Sequence, residues 1–298
     1  MKKILWSVLL LATVIFTSCS LDDDRRFSSG ENGKFIVNFS IQDPTSGLAT
    51  RAAIAPEAGE ENIKTLDLIF FASNSDGSGN FKGWKELIAT SSAPLVMNTD
   101  MVFDFSDLGL QMTDAYDILV VANMGNNYLP ADGSQTLADW KTAIQNSTYK
   151  EAKAKIQVFM TGTATDTPEY TTKPLESEAL LMSTSLRKET QDTKINIVLQ
   201  RSVSRFDVYN SATGYTLESV SVWNAYPSLF VWNGEPNAFD KEAERIIRLY
   251  GVESETGASI VGKLYGFENY VADPKQNDEL TTCLIIRVKN ENTGTVSY

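Results

Sequence analysis

Few residues in this chain could carry chemistry. It contains no histidine, which removes the commonest general base and metal ligand and with them serine–histidine and cysteine–histidine catalysis. Glu176 and Glu178 stand two apart in a stretch rich in Thr, Pro and acidic side chains (161–178). Nothing there would raise a carboxyl pKa, so they read as solvated loop charges, not an acid–base pair. Residues 74–80, Asn-Ser-Asp-Gly-Ser-Gly-Asn, lack the bidentate glutamate and the ligand spacing of a calcium loop and read as a turn. No phosphate loop, nucleophile elbow or metal-ligand spacing occurs. Neither an enzyme nor a cofactor or metal is expected.

The remaining chemistry is done to the chain. Of its two cysteines, Cys19 follows a short export signal: Lys2 and Lys3 supply the positive end, and residues 4–16 an apolar core too short to span a bilayer. Phe16-Thr17-Ser18-Cys19 resembles a lipoprotein signal, which makes Cys19 the acylated N-terminus, anchored in outer-membrane lipid. The run Asp22-Asp23-Asp24 just behind it resembles the acidic surface-export signal of Bacteroides-type lipoproteins. Cys283 then has no internal disulfide partner and, lying in the apolar run Cys283-Leu284-Ile285-Ile286, reads as a small buried hydrophobe. A net charge of −12 with no basic stripe disfavours nucleic acid.

The elements behind these residues are mostly strands. Phe35, Val37, Phe39 and Ile41 fall two apart, predicting a strand over 34–42 with one apolar face. Asp43-Pro44 ends it, since proline brings no amide donor to a ladder. Residues 45–58 are small and polar around one basic residue, Arg51, so the strand hangs on a tether that a protease could cut. Further strands are predicted over 63–73 (Leu66, Leu68 and Phe70 on one face), 101–105, 116–123, 194–210, 217–223, 229–232, 245–250 and 283–288, with four consecutive apolar residues making 116–123 central. A helix is predicted over 136–155, capped by Thr136, with Asp139 in its first turn and Leu137, Trp140 and Ile144 on one face. Short strands at this spacing describe β-sandwich domains, with a boundary near 190.

Several segments in order resemble the fimbrillin family, the subunits of type V pili. They are Thr50-Arg51-Ala52, residues 66–71, Val121-Ala122-Asn123, Leu181-Met182-Ser183, residues 198–205 and Tyr265-Gly266-Phe267-Glu268-Asn269, behind the cysteine signal and the first strand. The resemblance implies a mostly β fold of two tandem β-sandwich (transthyretin/Ig-like) domains with one or two short helices. The organisation expected is a signal peptide (1–18), an acidic tether (19–33), an N-terminal domain (34–190) and a C-terminal domain (191–298). It also implies that an arginine-specific protease cuts between Arg51 and Ala52, that the 34–51 segment with Phe35, Val37, Phe39 and Ile41 is displaced, and that a strand of another fimbrial subunit replaces it. Adhesion targets on host or bacterial cells are further implied partners. Since only the start of a strand pattern precedes Tyr298, the C-terminal domain is expected to be incomplete, able to accept a strand but not to donate one. The alternative is a surface lipoprotein or pilus-tip adhesin binding glycans or host proteins, with Trp223, Tyr226, Phe230 and Trp232 as an aromatic platform.

Overall fold

A computed structural model describes residues 33–42, 59–89, 93–130, 133–159, 179–209, 212–223, 228–232, 246–249, 260–267 and 283–297. The signal, Cys19, Asp22–Asp24, Arg51, Ala52, Glu176 and Glu178 lie outside these residues.

The first strand, β1 (Lys34–Ile41), lies where the alternation places it. It is followed by β2 (Thr65–Ala72), β3 (Phe81–Ile88), β4 (Met101–Asp104) and β5 (Tyr116–Ala122). Two helices come next, α1 (Leu137–Gln145) and α2 (Tyr149–Lys155), then β6 (Gln157–Phe159), β7 (Met182–Lys188) and β8 (Lys194–Arg201). Seven of these strands form one curled sheet in the order β3-β2-β5-β7-β8-β1-β4. The β7–β8 ladder is only two residue pairs long, Met182 with Arg201 and Ser183 with Gln200, so the sheet folds over at this corner into two layers. Its edges come back together, with Lys85 of β3 standing over the Phe103 ring of β4, 5.5 Å from the centroid.

Two cores result. The inner one, between the layers, holds Phe35, Val37, Phe39, Leu66, Leu68, Phe70, Ile118, Val120, Ile195, Ile197 and Leu199. The outer one lies under the helices, where Trp140 meets Trp84 and Trp232, and Phe71 meets Tyr149. β2 is therefore buried from Leu66 to Phe71 on both faces, not on the single face its alternation predicts.

The single helix predicted over 136–155 is two. Thr136 and Asp139 form the expected capping box, but Thr148 and Glu151 form a second one inside the apolar period. Because a capping threonine takes extended backbone, the helix must stop and restart there.

The described elements beyond β8 are also strands: β9 (Val203–Tyr209), β10 (Tyr215–Trp223), β11 (Ser228–Phe230), β12 (Ile246–Leu249), β13 (Ile260–Phe267), β14 (Cys283–Asn290) and β15 (Val296–Ser297). They make a four-stranded sheet, β12-β10-β14-β15, and the pairs β9–β13 and β6–β11. β8, which follows position 190, belongs to the large sheet, and Trp232 packs on it through Nε1, which donates to the Val120 carbonyl at 2.8 Å. The strand predicted over 283–288 is β14; in it Leu284 and Ile286 are 37% and 40% exposed, and the side chain of Cys283 lies outside the described residues. Among the described residues no helix is long and apolar enough to cross a membrane.

Candidate functional site

β1 occupies a slot between two partners. Against β8 it runs parallel, Ile36 to Ile41 facing Lys194 to Leu199; against β4 it runs antiparallel, Lys34 to Val37 facing Asp104 to Met101. Backbone bonds continue past both ladders: the Ile36 and Gln42 amides donate to the Thr193 and Leu199 carbonyls, and the Asn98 and Phe105 amides donate to the Phe39 and Gly33 carbonyls.

Phe35, Val37 and Phe39 are fully buried, and Ile41 packs against the same core. Ile36, on the opposite face, is buried as well. At about 1.5–3 kcal/mol for each large apolar side chain taken out of water, the three inward residues stabilise the strand by on the order of 5–9 kcal/mol. Removing β1 therefore exposes an apolar channel with hydrogen-bonding edges on both sides.

The floor of the slot is aromatic. Phe35 stacks on Phe105, with ring centroids 4.4 Å apart, and meets Phe103 edge-on at 5.7 Å. Phe105 in turn touches Phe70, Phe103 and Tyr116. A polar pin lies on the outer face: Asn38 donates from Nδ2 to Asp100 at 3.0 Å, and Lys194 pairs with the same carboxylate at 2.9 Å. These two donors hold the Asp100 carboxyl below the usual carboxylate range.

Where the tether re-enters the described structure it is clamped. The Glu60 carboxylate lies 2.7 Å from Arg205 with both side chains almost buried, and Glu61 lies 3.2 Å from Arg201. Asn123, in the left-handed region at φ 61°, accepts from the Lys64 amide and donates to the Asn62 and Leu180 carbonyls. It thus staples the approach to β2 to the end of β5 and the approach to β7. The sequence offers Asn123 as part of a motif without revealing this role; an asparagine directly after an apolar strand, tolerant of positive φ, is the available signal.

Asp100, Lys194 and Lys188 are not singled out by sequence, because lone charged residues around strands are ordinary. Of the expected aromatic platform, Trp232 is a core residue and leaves it, Phe230 is half-buried, and the side chains of Trp223 and Tyr226 lie outside the described residues. Residues 74–78 form the expected turn, in which Asp76 accepts from the backbone and hydroxyl of Ser78. Among the described residues no cluster of three or more potential metal ligands occurs.

No protein-family model and no curated protein matches this sequence. Solved structures do. The chain is similar to a candidate cell adhesion protein from Parabacteroides distasonis, at 15% identity and a TM-score of 0.52, covering 86% of this chain and 74% of that one. It is also similar to a candidate adhesin from Bacteroides ovatus (14%, TM-score 0.49, 89% and 76%) and to the tip fimbrial protein Mfa3 from Porphyromonas gingivalis, crystallised with a C-terminal truncation (18%, 0.45, 80% and 76%). The resemblance to fimbrial proteins read from the sequence agrees with these likenesses, and at such identities what is shared is the fold: mostly β, built as a sandwich around a curled sheet.

Proposed function

We propose that the protein is a non-catalytic structural subunit or adhesin of a cell-surface fimbria. In this reading it is a lipoprotein acylated at Cys19 and carried outward by Asp22–Asp24. An arginine-specific protease cuts after Arg51, β1 departs, and a strand of a neighbouring subunit enters the slot between β4 and β8. A contact of that kind is head-to-tail and does not close, so repetition gives a filament. The chain then divides into the curled-sheet domain and a C-terminal domain built on β10 and β14.

The observation that carries the reading is β1 itself. It is the first of the described strands, is bonded along both edges, holds three fully buried side chains, and is joined to the strands that follow it through the tether that contains Arg51. The Glu60–Arg205 and Glu61–Arg201 pairs and the Asn123 staple would keep the chain beyond the cut in place. The fold shared with a candidate cell adhesion protein supports a surface role.

Limited trypsin digestion of the protein lacking residues 1–19, followed by intact mass and size-exclusion analysis, tests this. The expected result is first cutting after Arg51, loss of residues 20–51 and appearance of oligomers. Cutting elsewhere first, or a cut protein that retains β1 as a monomer, would sink it.

A further inference from the structure

One buried charge has no part in the strand-exchange reading. Lys188, at the end of β7, is 0% exposed, and its ammonium group donates to three backbone carbonyls: Met112 at 2.7 Å, Asp114 at 3.0 Å and Glu189 at 2.8 Å. An ammonium group carries three protons, so every one is used. The aromatic faces of Phe105 and Tyr116 flank it at 5.8 and 5.9 Å, within reach of a cation–π attraction. Burial lowers its pKa, while the carboxylates of Asp192, Asp114 and Glu189 act to keep it charged.

Two of those carbonyls belong to the segment that follows the Phe105–Leu108 turn, and Phe105 is the ring on which Phe35 stacks. A second tie reinforces the first, since the Gln111 amide donates to the Tyr116 hydroxyl at 2.9 Å. Segment 105–116 contributes no ladder to β1 beyond the Phe105 amide bond to Gly33. Without Lys188 it would lose its three charge-assisted ties and rest on apolar contact and single neutral hydrogen bonds such as those of the Phe105 and Gln111 amides, and a vacated slot would tend to close on itself to hide its aromatic floor.

We propose that Lys188 is a positioning residue of the slot: by fixing Phe105 through the carbonyl cage and the ring face, it keeps the floor in place for Phe35, and for whatever side chain takes that position when β1 is replaced. The second half of this rests on the strand-exchange reading. The consequence is a receptor that is already formed when β1 leaves, so an incoming strand bears no cost of reopening it.

Hydrogen exchange on the full-length chain tests the assignment. In Lys188→Met, protection of the Ile36 and Gln42 amides is expected to fall at least tenfold further than that of the β5 amides of Leu119 and Val121. A merely structural lysine would lower both sets by the same factor, and that result, or an unchanged β1, would overturn the proposal. Should Lys188→Met not fold, Phe105→Leu removes the ring while keeping an apolar side chain, and the same selective loss is expected; uniform loss there overturns the proposal equally. Neither a protease nor an incoming strand takes part. Selective loss without assembly after trypsin would therefore leave the role of Lys188 standing and remove the fimbrial reading, whereas uniform loss with assembly would do the reverse.

Discussion

β1 and β5 are both interior strands of one sheet, yet they are held in different ways. β5 is buried at every residue, pairs antiparallel with β2 and β7, and is fixed at its ends by the Asn123 staple and by Tyr116 beside Lys188. β1 rests mainly on one dense face: of its outward residues Ile36 is buried, but Asn38 and Ser40 are half-exposed and the polar pin lies at the surface. Taking out β5 would divide the sheet and uncover both cores. Taking out β1 detaches only the short β4, uncovers chiefly the inner core and leaves every β2–β3, β2–β5 and β5–β7 ladder in place. A strand can be strongly held and still be separable, provided its contacts lie mainly on one face and two edges.

The comparison is broken most directly in the cores. Phe35→Ala should cost about 3–5 kcal/mol, measured by urea unfolding, since it leaves a cavity against Phe105 that close-packed rings cannot fill. Ile118→Ala in β5 should cost about 2–5 kcal/mol. The two should differ in kind: β1 amides exchange faster in the first variant, and the whole sheet does so in the second.

Asn123→Ala, at the end of β5, strands the Lys64 amide and the Asn62 and Leu180 carbonyls and forces alanine into the left-handed region. A loss of about 2–4 kcal/mol in chemical unfolding is expected, as two or more partners are left unsatisfied.

Beneath the helices, Asp67 is 2% exposed and accepts from Trp84 Nε1 at 2.8 Å, and burial pushes its pKa from 3.8 to about 6. A raised carboxyl pKa means that the folded state binds the proton more tightly. Stability from this group is therefore greatest below pH 3.8, is lost as pH rises toward 6, and stays lost above it. Asp67→Asn keeps the Trp84 bond and should be more stable than the parent by on the order of 2–3 kcal/mol at pH 8, converging with it near pH 4. Thermal unfolding at the two pH values reads this; a gain that did not shrink at low pH would refute it.

The smallest effect should be at the pin of β1. Asn38→Ala removes one exposed hydrogen bond to Asp100 and should cost under about 1 kcal/mol. If it cost as much as Asn123→Ala, the contrast between an edge-pinned and an end-stapled strand would fail.

The sequence revealed the strands whose side chains alternate cleanly or run apolar, among them β1, β2, β5 and the first part of β8. It was silent on β3, where Lys82, Gly83, Lys85 and Glu86 dilute the pattern, because an edge strand is protected from unwanted pairing by such residues. β7 is rich in serine and threonine and offers little apolar signal of its own. The break between α1 and α2 was readable, since Thr148 and Glu151 repeat the spacing of Thr136 and Asp139, but the apolar period running through it outweighed the caps. Leu284 and Ile286 mark a limit of another kind: an apolar run reports what could be buried, while exposure depends on what lies above it. The slot was legible only in part. Its inward residues follow from period two, whereas the parallel partner β8 and the Lys188 cage arise from pairings that leave no local trace.

That parallel partnership also sets an order of events. Phe39 faces Ile197, a partner roughly 160 positions later in the chain, so closing this ladder requires one of the longest loops in the molecule. The antiparallel ladders among β2, β3, β5 and β7 span shorter distances and can form while β8 is still unmade. β1 can pair with β4 at that stage, since their ladder spans no more chain than that of β5 and β7, but its ladder with β8 is by this count among the last to close. Substitutions on the β8 side such as Phe39→Ala should then leave the folding limb of a chevron nearly unchanged and speed only the loss of the native state, because the contact they remove is absent from the rate-limiting step. Of the two walls of the slot, the one nearer in sequence can form early, and the one farther along the chain closes it.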